Sequence, residues 1–122
     1  MTFAYWCVAI TVMLPLVWVS IAKATARGYD NARPRIWLSQ LEGMSQRANW
    51  AQQNSFEAFP AFAAAVIIAH LTGSNQATID LLAGIFVIAR ILHGICYITD
   101  KSTPRSIIWV VGFGVTMALF FI

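Results

Sequence analysis

Charged residues are scarce in this chain of 122 residues, of which 59% are hydrophobic and only 11% carry a charge. A soluble domain usually carries about 25% charged residues, so the composition excludes an ordinary soluble domain. The hydrophobic residues form long runs and do not alternate with polar ones, as in segments that cross a lipid bilayer. We therefore expect one integral-membrane domain over residues 1–122.

Other features that are rare or absent narrow the chemistry further. The two cysteines, Cys7 and Cys96, are too few for a disulfide scaffold. No basic segment precedes the first hydrophobic run, which disfavours a signal peptide. No HExxH, CxxC or glycine-rich phosphate loop occurs, and the two histidines fall near opposite membrane faces, so we expect no metal site. No aromatic residues are interleaved with the cations, so we expect no nucleic-acid partner.

The hydropathy and helix-boundary signals predict four transmembrane helices and thus an all-α bundle. The predicted spans are about residues 3–24, 46–72, 78–99 and 104–121. Ser45, Thr78 and Thr103 are the predicted N-caps, because short polar side chains accept hydrogen bonds from the free N–H groups of a first helical turn. Between the first and second spans, a short segment around Trp37 is expected to lie at the level of the lipid head groups.

The cations are divided unequally between the two ends of the predicted bundle. Except for Arg90, all of them lie in the loops after the first and third spans or at the adjoining helix ends. They are Lys23, Arg27, Arg33, Arg35, Arg47, Lys101 and Arg105. Because cytoplasmic loops of membrane proteins are enriched in Lys and Arg, we expect these loops inside and both termini outside the cytoplasm.

Two of the predicted spans carry a charge at membrane depth, Glu57 in the second and Arg90 in the third. Ionisable residues inside a membrane are costly and by default mark function. At ~1.5 Å per residue, both are predicted to lie about 14–15 Å from the same end of the bundle. Equal depth predicts an ion pair between them. The alternative is that this pair only locks the bundle together.

Helical spacing places further polar side chains on the faces that carry these two charges. They are Arg47, Trp50, Asn54 and Glu57 on the second span and Arg90, His93 and Tyr97 on the third. Arg105 follows in the first turn of the fourth span. This pattern predicts a polar cleft that opens at the basic end. Each residue also has a structural alternative, such as a helix–helix hydrogen bond for Asn54 or a place in the aromatic belt for Tyr97.

Two motifs within this set resemble those of the MAPEG family, the membrane-associated proteins in eicosanoid and glutathione metabolism, and specifically its compact bacterial branch. The motifs are Asn54-x-x-Glu57-x-x-Pro60 and Arg90-x-x-His93-x-x-x-Tyr97. The resemblance covers residues 44–122 well and the first span only in hydropathy. It implies a four-helix protomer assembled as a homotrimer in a bacterial inner membrane, with glutathione bound between adjacent subunits near the cytoplasmic side.

The resemblance also implies a role for each polar residue. Arg105 corresponds to the arginine that stabilises the glutathione thiolate, so it is the implied catalytic residue. The implied glutathione contacts are Asn54, Glu57, Arg90, His93, Tyr97 and Arg47. One position departs from the family pattern, because several family enzymes have an arginine four residues before the asparagine, where this chain has Trp50.

The function implied by the resemblance is a glutathione-dependent transferase or peroxidase acting on small lipophilic electrophiles or lipid hydroperoxides. Glutathione has two carboxylates and an amine, so it requires cations and an anion, and a guanidinium beside its sulfur favours the nucleophilic thiolate. The alternative is a non-enzymatic member that binds lipid or a membrane partner, as Trp50 suggests. A conducting protein would need polar residues through the full membrane thickness, whereas the outer half of each span is mostly apolar.

Overall fold

Five helices make up the regular structure of the chain in the computed structural model, which describes all residues 1–122. They are α1 (Phe3–Thr25), α2 (Pro34–Ser39), α3 (Gly43–Leu71), α4 (Gln76–Ile98) and α5 (Ser102–Phe121). The helices α1, α3, α4 and α5 are each long and apolar enough to cross a membrane. The predicted all-α, four-helix membrane bundle is therefore confirmed.

The predicted N-caps are wrong, because each helix begins earlier than its predicted cap implies. Asn75 caps α4, and its side chain accepts the backbone N–H of Thr78. Ser45 lies inside α3, where its hydroxyl hydrogen-bonds to that of Thr25 in α1 at 2.9 Å. Thr103 lies inside α5. Several polar residues precede each span, and the sequence pattern does not distinguish which of them ends the loop.

The largest buried cluster joins α1, α3, α4 and α5 in the half of the bundle that contains both chain termini. Phe62 of α3 and Phe86 of α4 stack within it, with ring centroids 3.8 Å apart. The cluster also contains several fully buried alanines, and such small side chains allow membrane helices to approach closely. This half of the bundle is thus packed with apolar side chains, and the cavities that carry polar groups lie nearer the other end.

We call the other end of the bundle, formed by loop residues 26–42 and turn residues 99–101, the basic end. The short helix α2 packs there, with Trp37 and Leu38 against the buried side chain of Leu41. Arg47 of α3 donates from Nε and Nη2 to the carbonyl oxygen of Ile98, at 3.3 and 3.1 Å. These bonds join the start of α3 to the end of α4.

A close contact between α1 and α4 fixes the position of the polar face of α4. Trp18 of α1 lies directly against the backbone of Gly94, where an added Cβ would come within 2.1 Å of the Trp18 indole. Only glycine leaves enough room for this approach. Because Gly94 follows His93 in α4, the contact also orients the face of α4 that carries His93 and Arg90.

At the end opposite the basic end, polar contacts hold the first turn of α1. Asp80 accepts the backbone N–H of Ala4 at 2.8 Å, a favourable place for a carboxylate because the N-terminus of a helix carries partial positive charge. His70 hydrogen-bonds through Nε2 to the hydroxyl of Thr2 and stacks on Tyr5, with ring centroids 4.2 Å apart. His70 therefore connects α3 to α1.

Candidate functional site

Asn54 connects the two intramembrane charges, which do not pair directly. Arg90 is 4% exposed, and its Nη2 donates to Oδ1 of Asn54. Nδ2 of Asn54 in turn donates to Oε2 of Glu57 at 3.3 Å. The predicted direct ion pair between Arg90 and Glu57 is thus wrong. A primary amide can bridge such charges because it accepts from the cation and donates to the anion.

The buried guanidinium of Arg90 meets the side chain of Asn54 and not that of Glu57. Asn54 and Glu57 lie one turn apart on the same face of α3. Glu57 is exposed and bonds only to Asn54. Similar spacing from the helix ends therefore did not decide which of the two side chains Arg90 contacts.

Nearer the basic end, Arg105 and two ring side chains of α4 form the next part of the site. The guanidinium of Arg105 lies over the ring of Tyr97, 4.3 Å from its centroid, in a cation–π contact. His93 meets the same ring edge-on, with centroids 5.2 Å apart. His93 is 3% exposed, and its Nδ1 has no hydrogen-bond partner within the protein. These three residues and Asn54 line a pocket of about 290 Å³.

A second pocket continues from the first toward the membrane interior. It has a volume of about 250 Å³, and Asn54, Glu57 and Arg90 provide its polar wall. Phe86, Trp109 and Phe113 provide much of its apolar wall. Both pockets are lined by Asn54 and Trp109, so they adjoin, and we call the two together the α3–α4–α5 groove.

The groove combines charged and aromatic side chains. Sites for small molecules usually enclose ~300–1,000 Å³, and each of the two pockets is close to the lower end of this range. The pocket nearer the basic end offers the cation of Arg105 and hydrogen-bonding groups. The deeper pocket adds stacked aromatic rings to its charged wall, with Trp109 and Phe113 parallel and 5.3 Å apart between centroids. Such a groove can hold a polar molecule beside a lipophilic one.

The structure brings most of the predicted site residues into the α3–α4–α5 groove. The residues that line it are Asn54, Glu57, Arg90, His93, Tyr97 and Arg105. Arg47 does not line the groove, since its guanidinium is bonded to the Ile98 carbonyl, and its glutathione contact stays a prediction. Trp50 is 42% exposed, and its ring lies 6.5 Å from that of Tyr97.

Sequence reasoning missed the α5 wall of the groove. Trp109, Gly112 and Thr116 line it, and they follow Arg105 at i+4, i+7 and i+11, which is one face of a helix. The sequence therefore contained a usable signal. It was obscured because a tryptophan, a glycine and a threonine in an apolar helix do not stand out as a polar stripe does.

Four membrane-length helices and a groove between α3, α4 and α5 beside the buried side chains of Arg90 and His93 define an integral-membrane protein with a candidate binding site. The model of the MAPEG family matches residues 3–122, and the chain belongs to this family. The resemblance inferred from the two motifs is thus confirmed, and the match extends over α1. The family includes glutathione-dependent transferases and peroxidases. No curated protein and no solved structure matches the chain.

Proposed function

We propose that this protein is a membrane-embedded, glutathione-dependent transferase or peroxidase acting on small lipophilic electrophiles or lipid hydroperoxides. The observation that carries this proposal is the composition of the α3–α4–α5 groove. The guanidinium of Arg105 and the imidazole of His93 line its pocket nearer the basic end, and the aromatic pair of Trp109 and Phe113 lines its deeper pocket. A water-soluble thiol and a lipid-soluble electrophile can therefore meet within one groove.

The side chains that line the groove fit the functional groups of glutathione. Its thiol matches the cation of Arg105, and its amine matches the carboxylate of Glu57, whose only hydrogen bond within the protein comes from Asn54. His93 lines the same pocket as Arg105, and its imidazole is a further hydrogen-bonding group for the tripeptide in this scheme. Tyr97 and Arg90 position their neighbours in this scheme, since each contacts another residue of the site.

Arg105 is the catalytic residue of this proposal. It lies in the first turn of α5, where the partial positive charge of the helix N-terminus adds to that of the guanidinium. Both favour the thiolate of glutathione over the thiol, and the released proton passes to water at the basic end. The thiolate is the nucleophile. In the transferase reaction its sulfur forms a bond to the electrophilic carbon, and the leaving group departs with the electrons of the bond that breaks. In the peroxidase reaction its sulfur attacks the terminal peroxide oxygen and the lipid alkoxide leaves and takes up a proton. A second glutathione then converts the resulting sulfenic acid to the disulfide and water.

The proposed assembly is a homotrimer with glutathione at the contact between adjacent subunits. In the protomer the groove is bounded by α3, α4 and α5, and Trp109 and Phe113 are 43% and 53% exposed. Large apolar side chains at the edge of a ligand site support closure by a neighbouring helix. The proposed location is a bacterial inner membrane with both termini outside the cytoplasm, which the concentration of cations at the basic end supports.

A second candidate function is lipid or partner binding without catalysis, and Trp50 favours it. Its ring lies beside Tyr97 at the mouth of the groove, in the position where several family enzymes have an arginine. An apolar ring there suits an acyl chain better than a carboxylate. In this alternative, the Arg90–Asn54–Glu57 network serves only to hold the helices together.

A glutathione titration of the purified protein in detergent, followed by ultraviolet thiolate absorbance, distinguishes the two functions. The enzyme predicts a saturable thiolate signal that is lost in Arg105→Ala. Arg33→Ala is the matched control, because Arg33 is an exposed arginine of the basic end that lines neither pocket of the groove. It should keep the signal. Absence of binding at millimolar glutathione would reject the enzymatic function and favour lipid binding.

A further inference from the structure

A separate cavity lies at the basic end, between α2 and α3, and its walls are rich in hydrogen-bonding groups. It has a volume of about 420 Å³, and its polar walls are Arg35, Ser39, Asn49, Gln52 and Gln53. None of these residues lines the α3–α4–α5 groove. We propose that this cavity binds the phosphate group of an anionic phospholipid.

Asn49 is the first residue that points to a ligand. It is 5% exposed, and it lines the cavity. Its side-chain amide makes no hydrogen bond to another group of the protein, although buried polar side chains normally have a partner. The open face of the amide is the cavity itself, so the partner that satisfies it comes from outside the chain.

The charge of the cavity walls selects an anion. Arg35 is the only charged residue among them, and its guanidinium forms no ion pair within the protein. A planar guanidinium suits the oxygens of a phosphate, to which it can donate two parallel hydrogen bonds. The amides of Asn49, Gln52 and Gln53 add N–H donors. No carboxylate lines the cavity, so a cationic ligand would find no counter-charge.

The position of the cavity identifies a membrane lipid as the source of the phosphate. Arg35 and Ser39 of α2 lie at the basic end, the level at which head groups are expected. Its remaining walls are Leu38 of α2 and Phe56 of α3, and Phe56 lies about 10 Å deeper along α3 than Asn49. The cavity therefore runs from the head-group level into the hydrocarbon. Free phosphate would leave this apolar part without a contact, whereas the glycerol and acyl groups of a lipid fill it.

Native mass spectrometry of the full-length protein in detergent, titrated with phosphatidylglycerol or phosphatidylcholine, tests the proposal. We expect tighter binding of phosphatidylglycerol and a loss of about tenfold in its affinity in Arg35→Gln, as for removal of one charge-assisted contact. Arg33→Gln is the matched control, because Arg33 is exposed on the same loop but does not line the cavity. It should change the affinity by less than about twofold. Asn49→Leu removes the buried amide and should also weaken binding.

Inorganic phosphate is the second probe, and it shows whether the anion in the cavity is a lipid head group or free phosphate. Weak displacement of bound phosphatidylglycerol by millimolar phosphate supports the lipid. Tight binding of inorganic phosphate alone, with no preference for either lipid, would overturn the lipid assignment. Equal losses in Arg35→Gln and Arg33→Gln would also overturn the proposal, because they would show that only diffuse surface charge attracts the lipid. Equal affinity of the wild-type protein for phosphatidylglycerol and phosphatidylcholine would also overturn the proposal.

Discussion

Replacement of Asn54 by alanine removes the bridge between the two intramembrane charges, and its effect on stability can be estimated from the structure. Arg90 is 4% exposed, and its hydrogen bond to Asn54 is the only one that its side chain makes within the protein. Truncation of Asn54 therefore leaves a buried guanidinium without a protein partner. Nδ2 of Asn54 also ceases to donate to Glu57.

The loss of the hydrogen bond between Arg90 and Asn54 dominates the expected change in the free energy of unfolding. Hydrogen bonds to charged groups contribute about 1.5–3 kcal/mol, and the burial of Arg90 favours the upper part of this range. The bond to Glu57 is longer, at 3.3 Å, and Glu57 is exposed in the protomer, so the loss of this bond adds less. We therefore expect Asn54→Ala to lower the free energy of unfolding by about 2–3 kcal/mol. Asn54→Asp should lose less, since it keeps an acceptor for Arg90 but repels Glu57.

The assay is unfolding in mixed micelles by titration with an anionic denaturing detergent. Gln53→Ala is the matched control, because Gln53 is the preceding residue of α3 and is exposed. It should change the free energy by less than about 0.5 kcal/mol. In the background of Arg90→Met, the effect of Asn54→Ala should shrink to the size of the control. An Asn54→Ala protein as stable as the control, or an unchanged effect in the Arg90→Met background, would refute the bridge.

Two further predictions concern helix contacts, and the midpoint of thermal unfolding in detergent checks both. Gly94→Ala should destabilise the protein by about 1–3 kcal/mol, because its Cβ would meet the Trp18 indole. Gly114→Ala, which has open space around it, should not lower the midpoint, and equal behaviour of the two variants would contradict the contact. Arg47→Ala should lose about 1–2 kcal/mol, because it removes both hydrogen bonds to the Ile98 carbonyl. An unchanged midpoint would show that Arg47 does not stabilise the end of α4.

Helix spacing was sufficient to predict which polar residues share a groove. Asn54 and Glu57 are separated by three residues on α3, as are Arg90 and His93 on α4, and such pairs lie on one helix face whatever the exact helix ends are. The membrane requires these faces to turn toward protein or a wet cavity. Arg105 follows a short turn, so its side chain returns to the same end of the bundle. These constraints act within one helix or across one short turn, so they can be recognised from the sequence alone.

Features that depend on the relative depth of two helices could not be predicted in the same way. The predicted ion pair failed because the guanidinium of Arg90 meets Asn54, one turn from Glu57 on the same face of α3, and spacing along one helix does not tell which of the two side chains a neighbouring helix contacts. The contact of Trp18 with Gly94 depends on how closely α1 approaches α4. The cavity beside Asn49 is closed by α2, whose six residues carry no periodic pattern. Each of these features is set by packing between segments distant in sequence.

A cryo-EM structure of the protein in lipid nanodiscs with glutathione added tests most directly whether the α3–α4–α5 groove holds glutathione, as we propose. We expect density for the tripeptide in the groove, with its sulfur beside the guanidinium of Arg105 and its amine near Glu57. Density for glutathione at another surface, with lipid in the groove, would contradict the proposed function.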